Sequence, residues 1–153
     1  MSEIAGQIQK KSADMALDAT AAVFGLDKGV VAKVLQVGIP MQMQLLQNNP
    51  ELAKKMYAAS FSILPEQVQD FYKNLANDGK LAEVSREEYR SMFGASAQAI
   101  NEAAAEAGEL SAEDVEGVMG ASLPSLKALL REAAESNQVD EKGFGDWLKR
   151  DAA

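Results

Sequence analysis

Gly25-Leu26-Asp27-Lys28-Gly29-Val30-Val31-Ala32-Lys33-Val34-Leu35, followed by Ile39-Pro40 and Leu45-Leu46, is the stretch on which the fold turns. Glycine stops one helix, and the Asp27 carboxylate offers an acceptor to the free N–H groups of the next. Val30, Val31, Val34 and Leu35 then recur at helical spacing. The pattern returns later in the chain, where 8–46 lies on 92–130 without a gap. The identities include Leu26/Leu110, Val31/Val115, Val34/Val118, Pro40/Pro124, Leu45/Leu129 and Leu46/Leu130. Ser111 takes the capping place of Asp27. The other identities, Ser12/Ser96, Ala13/Ala97, Ala19/Ala103 and Ala21/Ala105, are what coincidental helical patterning in an alanine-rich chain also gives. A cap, apolar helix positions, an apolar-Pro step and a Leu-Leu pair in the same order are harder to obtain that way.

Outward from this motif, helix signals dominate and period-2 runs of β-branched residues are missing. The spacing predicts helices over 3–23 (Ser2 cap; Ile4, Ile8, Met15, Ala19 and Ala22 near one face) and 28–37. Further helices are expected over 40–48, 50–61, 65–77, 86–93, 96–107, 112–119, 124–136 and 141–150. Pro40, Pro50, Pro65 and Pro124 each suit a first helical turn, where a missing N–H costs nothing. Ser85-Arg86-Glu87-Glu88 reads as a capping box. Asn77-Asp78-Gly79 reads as a helix-ending turn and not a calcium loop, since Ala76 cannot ligate and Ser85 cannot replace a bidentate glutamate.

The expectation is an all-α fold: one compact multihelical domain over 1–153 containing the duplicated motif (8–46 and 92–130). Pseudo-repeat 1 spans 3–49, connecting helices 50–90, pseudo-repeat 2 spans 92–136, and a last helix 141–150. Such units cannot each bury an apolar face alone, so the copies should share a core. Val31, Val34, Leu35 and Leu45, with Val115, Val118, Met119 and Leu129, are its expected members.

Of 153 residues none is cysteine or histidine, and 15 basic against 23 acidic residues give a net charge of −8. Zinc sites built on Cys or His, and Cys–His or Ser–His–Asp nucleophiles, are thereby excluded. The charge repels phosphate backbones, so nucleic acid is not an expected partner. No apolar run reaches the length that membrane insertion requires. The start shows no apolar signal region, and with the absence of cysteine it suits a cytoplasmic location. No cofactor is implied.

Two segments are candidate binding surfaces. Residues 1–84 carry 9 acids and 8 bases, whereas 85–153 carry 14 and 7, and no Lys or Arg lies between Ser91 and Leu126. Glu102, Glu106, Glu109, Glu113 and Glu116 could form an acidic docking face for a basic partner, or simply a solvated face. The segment from Val34 to Pro50 contains no charged residue. It reads either as core or as an exposed apolar groove at Met41, Met43 and Leu45, methionine being adaptable to varied partners.

The stretch from Gly25 to Leu35 with Ile39-Pro40 and Leu45-Leu46, and its copy from Gly108 to Leu130 with Leu123-Pro124 and Leu129-Leu130, resembles the YidB-like family of bacterial helical proteins. That resemblance implies an all-helical fold with repeats of this motif, a domain of unknown function, and no catalytic residues to carry over. The functional expectation is a non-enzymatic protein-interaction or scaffolding module, with self-association among its modes. The alternative is a carrier of a small apolar ligand or lipid in a Met/Leu-lined cavity.

Overall fold

At the helix stop and cap, the duplicated stretch takes the same backbone turn twice. Gly25 and Glu109, at equivalent positions of the two copies, are both left-handed, with φ of 63° and 56°. Behind them Leu26 N–H donates to the Ala21 carbonyl at 2.9 Å, and Leu110 N–H to the Ala105 carbonyl at 3.1 Å. These are the long backbone bonds that close a helix C-terminus on a left-handed residue. The next helix is capped at matching positions, Gly29 N–H donating to Asp27 Oδ1 at 2.7 Å and Asp114 N–H to Ser111 Oγ at 3.1 Å. A helix, a left-handed stop and a side-chain cap thus recur in register.

The computed structural model describes residues 3–152, which form helices α1 (Glu3–Phe24), α2 (Lys28–Asn48), α3 (Pro50–Phe61), α4 (Pro65–Leu75), α5 (Gly79–Phe93), α6 (Ala95–Gly108), α7 (Ala112–Ser136) and α8 (Glu141–Ala152). No strand occurs among the described residues. Asn49 caps α3, accepting from Leu52 N–H at 3.2 Å, and Asp140 accepts from Gly143 N–H at 2.8 Å at the head of α8. Ser2, the expected first cap, lies outside the described residues, as does the side chain of Ile4.

Several expected boundaries are corrected. The expected helices 28–37 and 40–48 are one helix, α2, and 112–119 and 124–136 are one helix, α7, with Pro40 and Pro124 in their interiors. An interior proline removes one ladder bond and crowds the carbonyl four residues back. In α7 a distant side chain repairs the ladder: the Tyr72 hydroxyl of α4 donates to the Ala121 carbonyl at 2.7 Å and accepts from Ser125 N–H at 3.1 Å. The phenol bridges an i, i+4 pair immediately beside the proline, and its burial raises its pKa. Ser85 caps nothing. It is buried within α5, whose cap is Asp78, accepting from Lys80 N–H at 3.0 Å. α4 ends at Leu75, short of the expected end at Asn77. Residues 92–93 close α5 and Gly94 (φ 53°) breaks the chain, so the second copy starts at Ala95. On α1 the buried positions include Ile8, Ser12, Ala16 and Thr20, whereas Met15 is 42% exposed and Ala22 is exposed.

The copies pack reciprocally: α1 lies along α7, α6 lies along α2, and α2 touches α7. The contacts are close where the side chains are smallest. A Cβ on Gly108 of α6 would sit 2.7 Å from Val34 Cγ2, and one on Gly38 of α2 would overlap the Met119 sulfur of α7. Each buried position of α2 (Val31, Val34, Leu35, Gly38, Ile39, Gln42, Met43, Leu46) has a buried counterpart at the equivalent position of α7. α7 is buried on its opposite face too, at Gly117, Gly120, Ala121, Pro124 and Ser125, because α1 to α6 all pack against it. Burial of Val31, Val34, Leu35, Val115, Val118, Met119 and Leu129 agrees with expectation, while Leu45 is only half-buried and Leu46 is the fully buried member of that pair.

Candidate functional site

Two flanks at equivalent places in the copies differ in what covers them. On the second copy, α5 lies against α6 and α7. Gly120 permits this: a Cβ there would come within 2.7 Å of the Arg86 Cα, so α5 approaches backbone to backbone. Tyr89 is fully buried at this seam, its hydroxyl donating to Asn101 Oδ1 at 2.9 Å. Asn101 Nδ2 donates to Glu116 Oε2 at 3.3 Å, and the Arg90 Nε donates to Glu116 Oε1 at 2.6 Å. Burial, and then the Glu116 charge, raises the Tyr89 pKa. The Glu116 hydrogen bond and charge raise that of Arg90. The chain Tyr89–Asn101–Glu116–Arg90 pairs each polar group with its neighbour and pins α5 to its seat.

On the first copy the matching flank, between α1 and α2, is an open groove of about 410 Å³. Its floor is Ala13, Leu17, Ala32, Leu35 and Pro40, of which all but Leu35 are half-buried. Its rim is polar, with Gln9 and the exposed Lys10, Asp14 and Gln36. A second groove of about 410 Å³ runs between α1, α4 and α7, floored by Val68, Ala128 and Leu129, with the exposed Met15 at its mouth. Both are concave, apolar-floored and polar-rimmed, the form that binding surfaces take.

The five glutamates do not form one free face. Glu116 is committed to Arg90 and Asn101, as its 16% side-chain exposure reflects. Glu102, Glu106, Glu109 and Glu113 are exposed, the first two on α6, Glu109 at its left-handed end and Glu113 in the first turn of α7. Glu102 accepts from Gln98 Nε2 at 3.2 Å. The apolar-groove reading of Met41, Met43 and Leu45 is corrected: Met43 is 1% exposed within the core, and Met41 and Leu45 are half-buried against it. Within the uncharged 34–50 segment Val34, Leu35, Gly38, Ile39, Gln42, Met43 and Leu46 are buried core positions of α2, which packs on both α6 and α7, whereas Gln36, Gln44, Asn48, Asn49 and Pro50 are exposed. Periodicity missed the α1–α2 groove, since Ala13, Leu17 and Ala32 look like any core positions. Position-by-position comparison of the two copies is the signal that could have found it.

Lys127 is buried in α7, at the position where the first copy has Met43, and pairs with Glu88 of α5. Among the described residues no three His, Cys, Asp or Glu side chains converge as metal ligands would, and no helix is long and apolar enough to cross a membrane. No family model, curated protein or solved structure matches the chain.

Proposed function

We propose that this protein is a non-enzymatic interaction module that binds a protein partner through the α1 side of the molecule. The observation that carries the reading is the open α1–α2 groove, which leaves Ala13, Leu17, Ala32 and Pro40 half-buried. These are core-type side chains at helical spacing, and exposure of such a stripe is what protein–protein contact relieves. The charged groups at the groove, Lys10 and Asp14, stand on its rim and do not converge on its floor. A cytoplasmic setting and a relation to the YidB-like proteins belong to the same reading, the latter supported by the repeated stop, cap and interior proline.

The test is affinity capture with the intact chain against two variants, Ala13→Arg in the groove and Glu106→Arg on the exposed face of α6. A partner retained by wild type and Glu106→Arg but lost with Ala13→Arg is the expected result. Capture equal in all three overturns it. Native mass spectrometry addresses the carrier alternative: a small apolar ligand that copurifies with wild type and is absent from Ala13→Arg replaces the module reading.

A further inference from the structure

The seat that α5 fills on the second copy has an unfilled counterpart on the first. α5 meets that copy at Ala97 and Asn101 of α6, within reach of the Tyr89 hydroxyl, and at Glu116 and Gly120 of α7, against Arg90 and the Ser85–Arg86 backbone. Mapped onto the first copy, these four positions become Ala13, Leu17, Ala32 and Gln36. All four line the open α1–α2 groove. Burial agrees with the mapping, since Asn101 and Gly120 are covered where Leu17 and Gln36 are half-buried and exposed.

We propose that the α1–α2 groove is the docking site for an amphipathic helix of a partner protein, seated as α5 is seated on the second copy. The inference rests on the interaction-module reading and names its partner class. Substitutions between the copies define the occupant. Leu17 replaces Asn101, so the 2.9 Å side-chain acceptor for a tyrosine hydroxyl is gone and only the longer backbone contact, at the Ala13 carbonyl, has a counterpart; phenylalanine or leucine suits the place of Tyr89. Ala32 replaces Glu116, so nothing answers an arginine at the place of Arg90, and a small or apolar residue belongs there. Gln36 replaces Gly120, which keeps the incoming backbone from approaching as closely as Ser85–Arg86 does. The occupant therefore rides higher and reaches the floor with large apolar side chains four residues apart. Lys10 and Asp14, one helical turn apart on the α1 rim and both exposed, supply charge complementarity: an acid and a base one turn apart on the partner's flank face them.

The probe is a fluorescein-labelled peptide of residues 79–93, the sequence of α5, carrying Tyr89→Phe and Arg90→Ala, titrated by anisotropy with the full chain. Saturable binding is expected, roughly tenfold tighter than that of the same peptide with Tyr89 retained, whose hydroxyl loses the Asn101 amide acceptor and meets Leu17 in its place. Ala32→Arg in the protein should weaken binding at least tenfold, with its circular dichroism unchanged, while Glu116→Gln leaves binding as it was. Sensitivity to Glu116→Gln but not to Ala32→Arg means that the peptide displaces α5, and overturns the proposal. So does the absence of saturation at about 1 mM peptide, which is weaker than about −4.1 kcal/mol. A dimer in sedimentation that Ala32→Arg dissociates assigns the groove to a second copy and also overturns it. Failure of the peptide with partner capture still sensitive to Ala13→Arg removes the helix and keeps the module. Capture insensitive to Ala13→Arg removes the module itself.

Discussion

Removal of the Glu88 carboxylate is the most informative single perturbation of the fold, because it isolates a charge in the central helix. Lys127 has 7% side-chain exposure on α7, and its ion-pair partner Glu88, on α5, has 40%. Stripping one member from a buried pair costs about 3–5 kcal/mol, because the survivor keeps its desolvation without its counter-charge. Glu88 is reached by water, so Glu88→Ala belongs at the low end, about 3 kcal/mol. For a chain of this size each kcal/mol lowers Tm by about 2–4 °C, so the loss is roughly 6–12 °C. The first copy shows how to remove the charge without a hole: Met43 occupies the position equivalent to Lys127 and is 1% exposed. Glu88→Ala combined with Lys127→Met should return to within about 1 kcal/mol of wild type, since apolar replacement of a buried pair is often neutral or stabilising. Urea unfolding followed by far-ultraviolet circular dichroism measures all four corners of the cycle. A Glu88→Ala loss below about 1 kcal/mol, or a double variant no better than the single one, refutes the reasoning.

Three further outcomes are expected. Tyr72→Phe leaves the Ala121 carbonyl and the Ser125 N–H unbridged beside Pro124. It costs about 1–3 kcal/mol, with faster amide exchange at Ser125 as its local signature. Glu109→Gly relieves a left-handed conformation that glycine adopts freely and gains about 0.5–1 kcal/mol, whereas Gly25→Ala at the equivalent turn loses about 1 kcal/mol by denaturation. Stability falls as pH rises above about 10, because unfolding releases Tyr72 and Tyr89 to titrate there while their folded pKa values lie higher. The unfolded chain then binds fewer protons than the folded one, so the slope is negative, and Tyr89→Phe makes the alkaline decline shallower.

Caps and stops were legible in the sequence because they are local. Asp27, Asn49, Ser111 and Asp140 each accept from an N–H two or three residues on, so a short window contains the whole interaction. Pro40 and Pro124 were misread for the opposite reason. An interior proline costs about 3 kcal/mol in an isolated helix, and a first-turn proline is the better local reading. In α7 the ladder beside Pro124 is bridged by a hydroxyl 49 residues before the carbonyl it caps. Ser85 fits a capping box as well as many true caps do, yet it is buried where α5 runs across Gly120, a contact that no window of α5 contains. The acidic cluster failed in part on similar grounds: spacing places Glu116 near Glu113, but Arg90 arrives from another helix.

The difference between the two copies follows from where the connecting helices fall. Reciprocal packing of α1 on α7 and α6 on α2 treats the copies alike, and the matched burial of α2 and α7 on their facing sides is its result. The chain between them, α3 to α5, breaks that equality by covering the outer face of α7. Sequence divergence tracks the covering position by position. Gly117 and Gly120, whose added side chains would collide with Phe24, Arg86 and the α5 backbone, correspond to the exposed Lys33 and Gln36. Glu116, answered by Arg90, corresponds to Ala32, which no arginine meets. A surface simply left to solvent would tolerate polar and charged side chains all along it, as Lys33 and Gln36 illustrate. Ala13, Leu17, Ala32 and Pro40 remain apolar and half-buried between them. The uncovered flank thus carries Leu17 and Ala32 where the covered one carries Asn101 and Glu116, and this apolar floor with its polar rim is what the proposed docking of an apolar helix face rests on.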